Sequence, residues 1–282
     1  MINRKGVHIA SKWAKTIAIR RDPAVARYVP ETRRMTERTL GQMLNRYGMV
    51  YVKPVAGTFG QGVMRVERTS GSPLPYSSHA GTNKRRFASL GALYRHIGRT
   101  KRRRPYLVQR GIHLLRTNGR RFDVRVMAQK NPAGAWESTG IIARVAGRGK
   151  VVTNYHNGGR PVAVGALLRP KLGARLAAHT EARLRSLGLR SAKTLARAYP
   201  RINMVGADIG LDRQLRPWII ELNTSPDPYL FRHLKDKSTH RKVMRYARLL
   251  GRIPSARGGT ARGGRRQAAA TSSRGRLARR KR

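Results

Sequence analysis

The sequence contains no cysteine. Disulfide bonds, thiolate metal sites and cysteine nucleophiles are therefore excluded. Acidic residues are scarce as well: 12 Asp and Glu stand against 62 Lys and Arg, a formal net charge of +50. Aromatic residues make up only 6% of the chain, and no zinc-finger spacing or aromatic-rich RNP pattern marks a nucleic-acid module. No apolar run is long enough to span a membrane. The basic N-terminus lacks the apolar stretch of a secretory signal. The charge excess implies affinity for polyanions such as nucleic acid, anionic polymers or nucleotides. An Arg-rich composition with its charges on solvated faces produces the same total.

Among 282 residues, 39% are hydrophobic, enough for one large domain or two small ones. With so few acids, the position of each carboxylate carries information. Pro217 to Asn223 reads as a strand whose apolar run, Trp218 to Ile220, ends in Glu221 and Asn223. Side chains alternate along a strand, so Glu221 and Asn223 share a face. Val205 to Asp212 reads as a second short strand, and Arg213 to Arg216 turns the chain back. Antiparallel pairing brings Asp208 beside Glu221 and Asn223. Three oxygen donors on one face suit Mg²⁺ bound together with phosphates. Taken alone, Glu221 and Asn223 are equally the chance ending of a buried strand.

A second constellation lies earlier. Met49 to Pro54 is a compact strand carrying Lys53, followed by Gly57, Thr58, Phe59, Gly60, Gln61 and Gly62, then a strand from Val63 to Val66. Glycines let backbone N–H groups approach phosphate oxygens, and a nearby Lys adds charge. No Gly-Lys-Ser/Thr and no helix follow, so this is neither a Walker loop nor a dinucleotide-binding turn. An ordinary glycine hairpin has the same pattern.

The other segments read more coarsely. Thr16 to Ile19 suggests a strand, and Thr32 a helix N-cap. Leu40, Met43, Leu44 and Tyr47 mark an amphipathic helix that Gly48 ends. Residues 70–86 read as a loop. Leu90, Leu93, Tyr94 and Ile97 form a short helix ended by Gly98, and Tyr106 to Gln109 form a strand. Strands at 121–128 and 136–145 flank an Asn131–Gly134 turn. Arg125 and Arg144 on them suit a phosphate or carboxylate clamp. An Asp–Arg pair on an exposed sheet face, worth little, is the alternative. Helices are expected over 170–187, 192–199 and 231–250. Residues 255–282 hold nine Arg, one Lys and no acid, and read as a disordered basic tail.

In order, Val52-Lys53-Pro54, the Gly57–Gly62 loop, Phe122-Asp123-Val124-Arg125, Asn154 with Gly158-Gly159, Asp208 and Glu221-Leu222-Asn223 resemble the ATP-grasp superfamily. Ser11-Lys12-Trp13, Tyr28-Val29-Pro30-Glu31-Thr32, Gln129-Lys130-Asn131 and Asn223-Thr224-Ser225-Pro226-Asp227-Pro228 narrow the resemblance. They make the chain similar to the YheC/YheD family of spore-coat-associated ATP-grasp proteins over residues 10–250.

The resemblance implies an α+β fold in which two α+β subdomains with antiparallel sheets enclose a nucleotide cleft. It divides the chain into a short N-terminal segment at 1–48 (a reduced pre-ATP-grasp region), a small subdomain with the glycine loop at 49–110, a large subdomain with the metal site at 111–250, and a basic tail at 251–282. Lys53 would contact ATP phosphates under the Gly57–Gly62 loop, and Gln109 would line the adenine pocket. Asp208, Glu221 and Asn223 would bind Mg²⁺. Arg125, Arg144 and Asn154 would face the γ-phosphate or the acceptor. A second phosphate-contacting cation is expected before Pro30, at Arg20 or Arg21.

Typical members phosphorylate a carboxylate to an acyl phosphate, which an amine then attacks, so that positioning and charge neutralisation carry the catalysis. The expected activity is a carboxylate–amine ligase with unknown carboxylate and amine substrates, cytoplasmic or in the spore coat. Two other readings stand beside it. One is a non-catalytic nucleotide-binding coat protein. The other is a basic protein that binds polyanions or nucleic acid through its charge, with spore coat proteins or anionic polymer as partners of the basic tail.

Overall fold

A computed structural model describes residues 7–254 apart from 59, 102, 103, 152 and 154–157. The expectations for Phe59, Asn154 and the tail from Ser255 onward therefore lie outside the described residues.

The first element corrects the sequence reading. Lys12–Arg20 is a helix, α1, not a strand. Thr16, Ile17 and Ile19 favour strand locally. However, Ser11 caps the helix by accepting from the Ala14 amide, and Lys12, Lys15, Ala18 and Ile19 are buried at helical spacing. The short helix α2, Pro23–Ala26, follows. The Asp22 carboxylate then accepts from Arg190 at 3.0 and 3.1 Å and from Thr194 at 3.0 Å, tying this corner to a later helix.

The smaller of two sheets contains β1 (Thr32–Arg34), β2 (Met49–Pro54), β3 (Met64–Arg68), β4 (Tyr76–Ala80), β5 (Asn83–Phe87) and β6 (Tyr106–Arg110). Its order is β1-β6-β2-β3-β4-β5, antiparallel throughout. Helices α3 (Glu37–Tyr47) and α4 (Leu90–Thr100) cover one face. Leu40, Met43, Leu44, Leu93 and Ile97 pack there against Val50, Val52, Val66 and Val108. Each such side chain contributes about 1.5–3 kcal/mol by leaving water.

Three expectations change here. Thr32 belongs to β1, and Thr36 caps α3 through a reciprocal bond with Thr39. Residues 70–86 are largely the β4–β5 hairpin rather than a loop; β5 is an exposed polar edge, so it shows no apolar alternation. Helix α4 runs past Gly98 to Thr100, because Leu93 and Ile97 are fully buried and hold it down.

The larger sheet contains β7 (Arg116–Thr117), β8 (Arg120–Lys130), β9 (Trp136–Val145), β10 (Arg160–Val162), β11 (Met204–Leu211) and β12 (Pro217–Asn223). Its order is β10-β9-β8-β11-β12, with β7 paired to β8. The helix α5 (Val164–Ala198) packs on one face, where Leu168, Leu184 and Leu195 meet Val124, Val126, Ala143 and Ile209. Ala18, Ile19 and Val25 join the same core, so α1 and α2 pack with the larger sheet and α3 with the smaller. The separate helices expected at 170–187 and 192–199 are one element, with a break at Gly173 (φ 72°, ψ 168°). On the other face, Phe231 and Val243 cover Met127 and Ile142. The helix expected over 231–250 is a 3₁₀ turn, Tyr229–His233, followed by α6 (Lys237–Leu249), because Asp236 caps a fresh start.

Candidate functional site

The cleft between the sheets is built from strand ends. Lys53 lies near the end of β2 and is 6% exposed. Its Nζ donates to Gln109 Oε1 at 2.9 Å and to the Ile220 carbonyl at 3.2 Å. Gln109 in turn donates to Thr32 Oγ1 at 3.0 Å. The Gln109 amide is therefore spent on holding Lys53, although the residue also lines the cavity. Burial pushes the Lys53 pKa down to about 8, opposed by Glu221 and reinforced by Lys12 and Lys15.

Among the described residues, two adjoining cavities lie in the cleft, beside a smaller one lined by Lys12, Lys15, Lys53 and Glu221. One, of about 100 Å³, is lined by Tyr51, Lys53, Gly60, Gln109, Asp208 and Glu221 among others. The second, of about 170 Å³, includes Lys12, Arg125, Arg144, Asp208, Glu221 and Asn223. Gly57, Thr58, Gly60 and Gln61 of the glycine loop also line this second space. Gly57, Gly60 and Gly62 take φ of 144°, 72° and 73°, which side chains other than glycine adopt only at a cost. The two halves of the chain thus bring Lys53 and its loop to the carboxylates of the last hairpin.

In that hairpin Asp208 faces Glu221 directly across β11 and β12, and Asn223 Nδ2 donates to Asp208 Oδ2 at 3.2 Å. Asp208 is buried and heavily bonded. Arg125 forks onto it, with Nη2 to Oδ2 at 3.0 Å and a second, shorter bond from Nε to Oδ1. Arg144 Nη2 reaches Asp208 Oδ2 at 3.0 Å and also donates to Asp123 at 2.6 Å, while its Nε donates to Asp123 at 2.9 Å. Thr153 completes the set by donating to Asp123 at 2.7 Å. Burial alone raises the Asp208 pKa, but the Arg125 and Arg144 guanidiniums outweigh it and hold the carboxyl below its usual range. The exposed Asp–Arg alternative is thereby excluded: Asp123, Arg125, Arg144 and Asp208 are all buried.

The donor set fits a hard divalent cation. Asp208, Glu221 and Asn223 offer oxygen on the wall of one cavity, and Glu221 is the more accessible carboxylate, with 24% of its side chain exposed. The described residues contain no cluster of three or more His, Cys, Asp or Glu able to hold a metal by themselves. Two carboxylates and one amide oxygen match what Mg²⁺ takes from a protein when it binds together with substrate phosphates.

Sequence reasoning missed Lys12. Its Nζ lies 3.3 Å from Glu221 Oε1 and donates to the Gly57 carbonyl at 2.6 Å, joining the loop to the hairpin. Arg20 and Arg21, expected as the second cation, are exposed and line neither cavity. The available signal was Ser11 as a cap, which makes Lys12 and Lys15 part of the first turns of a helix with a buried face. Lys15 is also buried, and burial lowers its pKa.

A profile described as YheC/D-like ATP-grasp matches residues 1–250. The chain is 24% identical over 254 residues to the endospore coat-associated protein YheD of Bacillus subtilis (strain 168), covering 85% of this chain and 54% of that protein. It therefore spans about half the length of that relative. Among solved structures it resembles D-cycloserine synthetase DcsG (TM-score 0.54, 12% identity, covering 86% of this chain and 70% of that one). It also resembles an N5-carboxyaminoimidazole synthase from Aspergillus clavatus in complex with ADP and 5-aminoimidazole ribonucleotide (TM-score 0.51, 10% identity, 86% and 52%). These likenesses establish the fold.

Proposed function

The chain belongs to the YheC/D-like ATP-grasp family, and from that premise we propose that it binds ATP with Mg²⁺ between its two sheets and joins a carboxylate to an amine. The observation that carries this reading is convergence: Lys53 from the second strand and Asp208 and Glu221 from the last two line one cavity with Gly60. The base and ribose occupy the part lined by Tyr51, Gln109 and Ile112, and the phosphates point toward Lys53 and Lys12. Asp208, Glu221 and Asn223 would hold the metal, which when bound would neutralise phosphate charge. The glycine loop, already tied to Lys12, closes over the phosphates.

The acceptor enters the second cavity, beside Arg125. Its carboxylate oxygen attacks the γ-phosphorus, the bond to the β-phosphate oxygen breaks, and ADP leaves. The amine then attacks the acyl carbon, and inorganic phosphate leaves. Arg125, although itself forked onto Asp208, faces the second cavity and stabilises charge on the phosphoryl group in flight, and Arg144, pinned between Asp123 and Asp208, positions them. The test is ADP release from Mg–ATP in the presence of panels of carboxylates and amines. Acceptor-dependent ADP release, lost in Glu221→Gln, supports the ligase. Nucleotide binding with no acceptor-dependent release supports a second reading, a nucleotide-holding protein of the spore coat. That reading is favoured by the coat-associated relative.

A further inference from the structure

Past Asn223 the chain turns through Thr224, Ser225, Pro226, Asp227 and Pro228 into the 3₁₀ turn. This turn is anchored from behind. Thr224 is buried; its Oγ1 accepts from the Ile9 amide at 2.8 Å, and its carbonyl accepts from Arg252 at 2.6 Å. Pro226 is buried over Gly206, where a Cβ would lie 2.7 Å from Pro226 Cβ and 3.0 Å from Arg125 Cδ. The missing side chain of Gly206 thus lets the turn pack beside the stem of Arg125. Held in this way, Ser225, Pro226 and Asp227 form part of the wall of the second cavity, together with Lys12, Arg125 and Arg144.

Asp227 is the exception in that wall. Four of the twelve acids have no ion pair among the described residues: Glu37, Asp212, Asp227 and Asp236. Glu37 sits in the first turn of α3, Asp212 accepts from the Trp218 indole and two backbone amides, and Asp236 caps α6. None of those three lines a cavity of the cleft, and Asp227 does. Its Oδ1 accepts from the Tyr229 amide at 2.8 Å, and its Oδ2 has no hydrogen-bond partner among the described residues. The other two carboxylates on this wall are taken, Asp208 by Arg125 and Arg144 and Glu221 by Lys12.

The second half of the ligase reaction brings an amine into this cavity. An alkylamine titrates near the lysine value, about 10.4, so at neutral pH it arrives as an ammonium ion. Lys12, Arg125 and Arg144 repel such an ion. A free carboxylate on the same wall offsets the repulsion and supplies a charge-assisted acceptor. Because the turn is already tied down, little order is lost when the ion binds.

We propose that Asp227 Oδ2, with the Ser225 hydroxyl of the same turn, binds the ammonium group of the amine substrate, and that this substrate is a basic alkylamine. The ammonium site stands on the geometry of the turn; its assignment to the amine substrate rests on the ligase reading. The nitrogen sheds one proton to water before it attacks the acyl carbon. A nucleophile that is uncharged at neutral pH gains nothing from Asp227.

The full chain, with and without Mg–ADP, is titrated with ethylammonium chloride and, separately, with sodium chloride at equal ionic strength. The readouts are the side-chain ¹³C carboxylate resonance of Asp227, assigned with Asp227→Asn, and the backbone amide of Ser225. Ethylammonium is expected to give saturable shifts at both, and sodium none. Asparagine keeps the bond to the Tyr229 amide, so Asp227→Asn is expected to leave the urea midpoint unchanged. It weakens ethylammonium binding, followed at Ser225, by roughly tenfold or more, and moves ADP affinity by less than about twofold. Glu37→Gln, which removes an equal charge from the surface of α3, changes neither. With a carboxylate that supports ADP release, Asp227→Asn raises the KM of alkylamines by a similar factor, whereas hydroxylamine, uncharged at neutral pH, still traps the acyl phosphate at the native rate. The absence of a saturable ethylammonium shift, an equal shift with sodium, or an equal loss in Glu37→Gln overturns the site. Ethylammonium binding without acceptor-dependent ADP release leaves the site standing and overturns its assignment to a ligase substrate. ADP release without an ethylammonium shift overturns the site and leaves the ligase reading intact.

Discussion

Lys53 is the residue whose chemistry is most exposed to test. With its pKa lowered by burial to about 8, it binds fewer protons in the folded chain than in the unfolded one between pH 8 and the ordinary lysine range. This group's contribution to stability therefore rises with pH across that window and is flat below it. An incoming phosphate restores the charge, so ADP binding near pH 8.5 takes up a proton and binding at pH 6.5 does not. Calorimetry in two buffers of different ionisation enthalpy measures that uptake, and Lys53→Met abolishes it. Arg144 makes a different prediction. Arg144→Met leaves Asp123 buried and half-paired, and breaking such a pair costs about 3–5 kcal/mol, seen as a lower urea midpoint. Much of this was legible in the sequence, because acids are so few that Asp208 and Glu221 stood out. Lys12 was not: Ser11 marks a helix start beside it, but only the fold brings Lys12, and not Arg20, to Glu221.

Among the elements, α5 and α4 contrast two helical glycines. Gly188 in α5 faces β8, and a Cβ there would meet Val126 at 2.6 and 2.7 Å. Gly188→Ala is therefore expected to destabilise by about 1–3 kcal/mol through overpacking. Gly98 in α4 has nothing within 4 Å of such an atom. Gly98→Ala is expected to stabilise by about 0.5–1 kcal/mol through helix propensity. Urea unfolding of the two variants measures both. These helices also show which elements the sequence reveals. The amphipathic α3 and the apolar strands β2, β8, β9 and β12 carry their period openly. The edge strand β5 does not, since every residue from Asn83 to Arg86 is exposed. Nor does α1, whose β-branched residues mimic a strand until its burial against the larger sheet decides the matter.

At the scale of the whole molecule, the charge excess is sharpened by how the acids are used. Asp22, Glu31, Glu67, Asp123, Glu137, Glu181, Asp208 and Glu221 are all ion-paired to the chain's own Lys and Arg. Little negative charge remains to offset the surface cations. Anions are drawn to such a surface, and ADP association is expected to slow as salt rises. The sequence displayed this excess but not its layout, because pairing partners such as Asp22 and Arg190 are far apart along the chain.

The central claim is that Lys53 and the hairpin carboxylates act on one nucleotide. Titration calorimetry of Mg–ADP into the full chain, Lys53→Met and Glu221→Gln tests it. The account predicts saturable one-site binding by the native sequence, and at least tenfold weaker binding by each variant, since a charge-assisted bond is worth about 1.5–3 kcal/mol. No binding by the native chain, or equal affinity in all three, would contradict it.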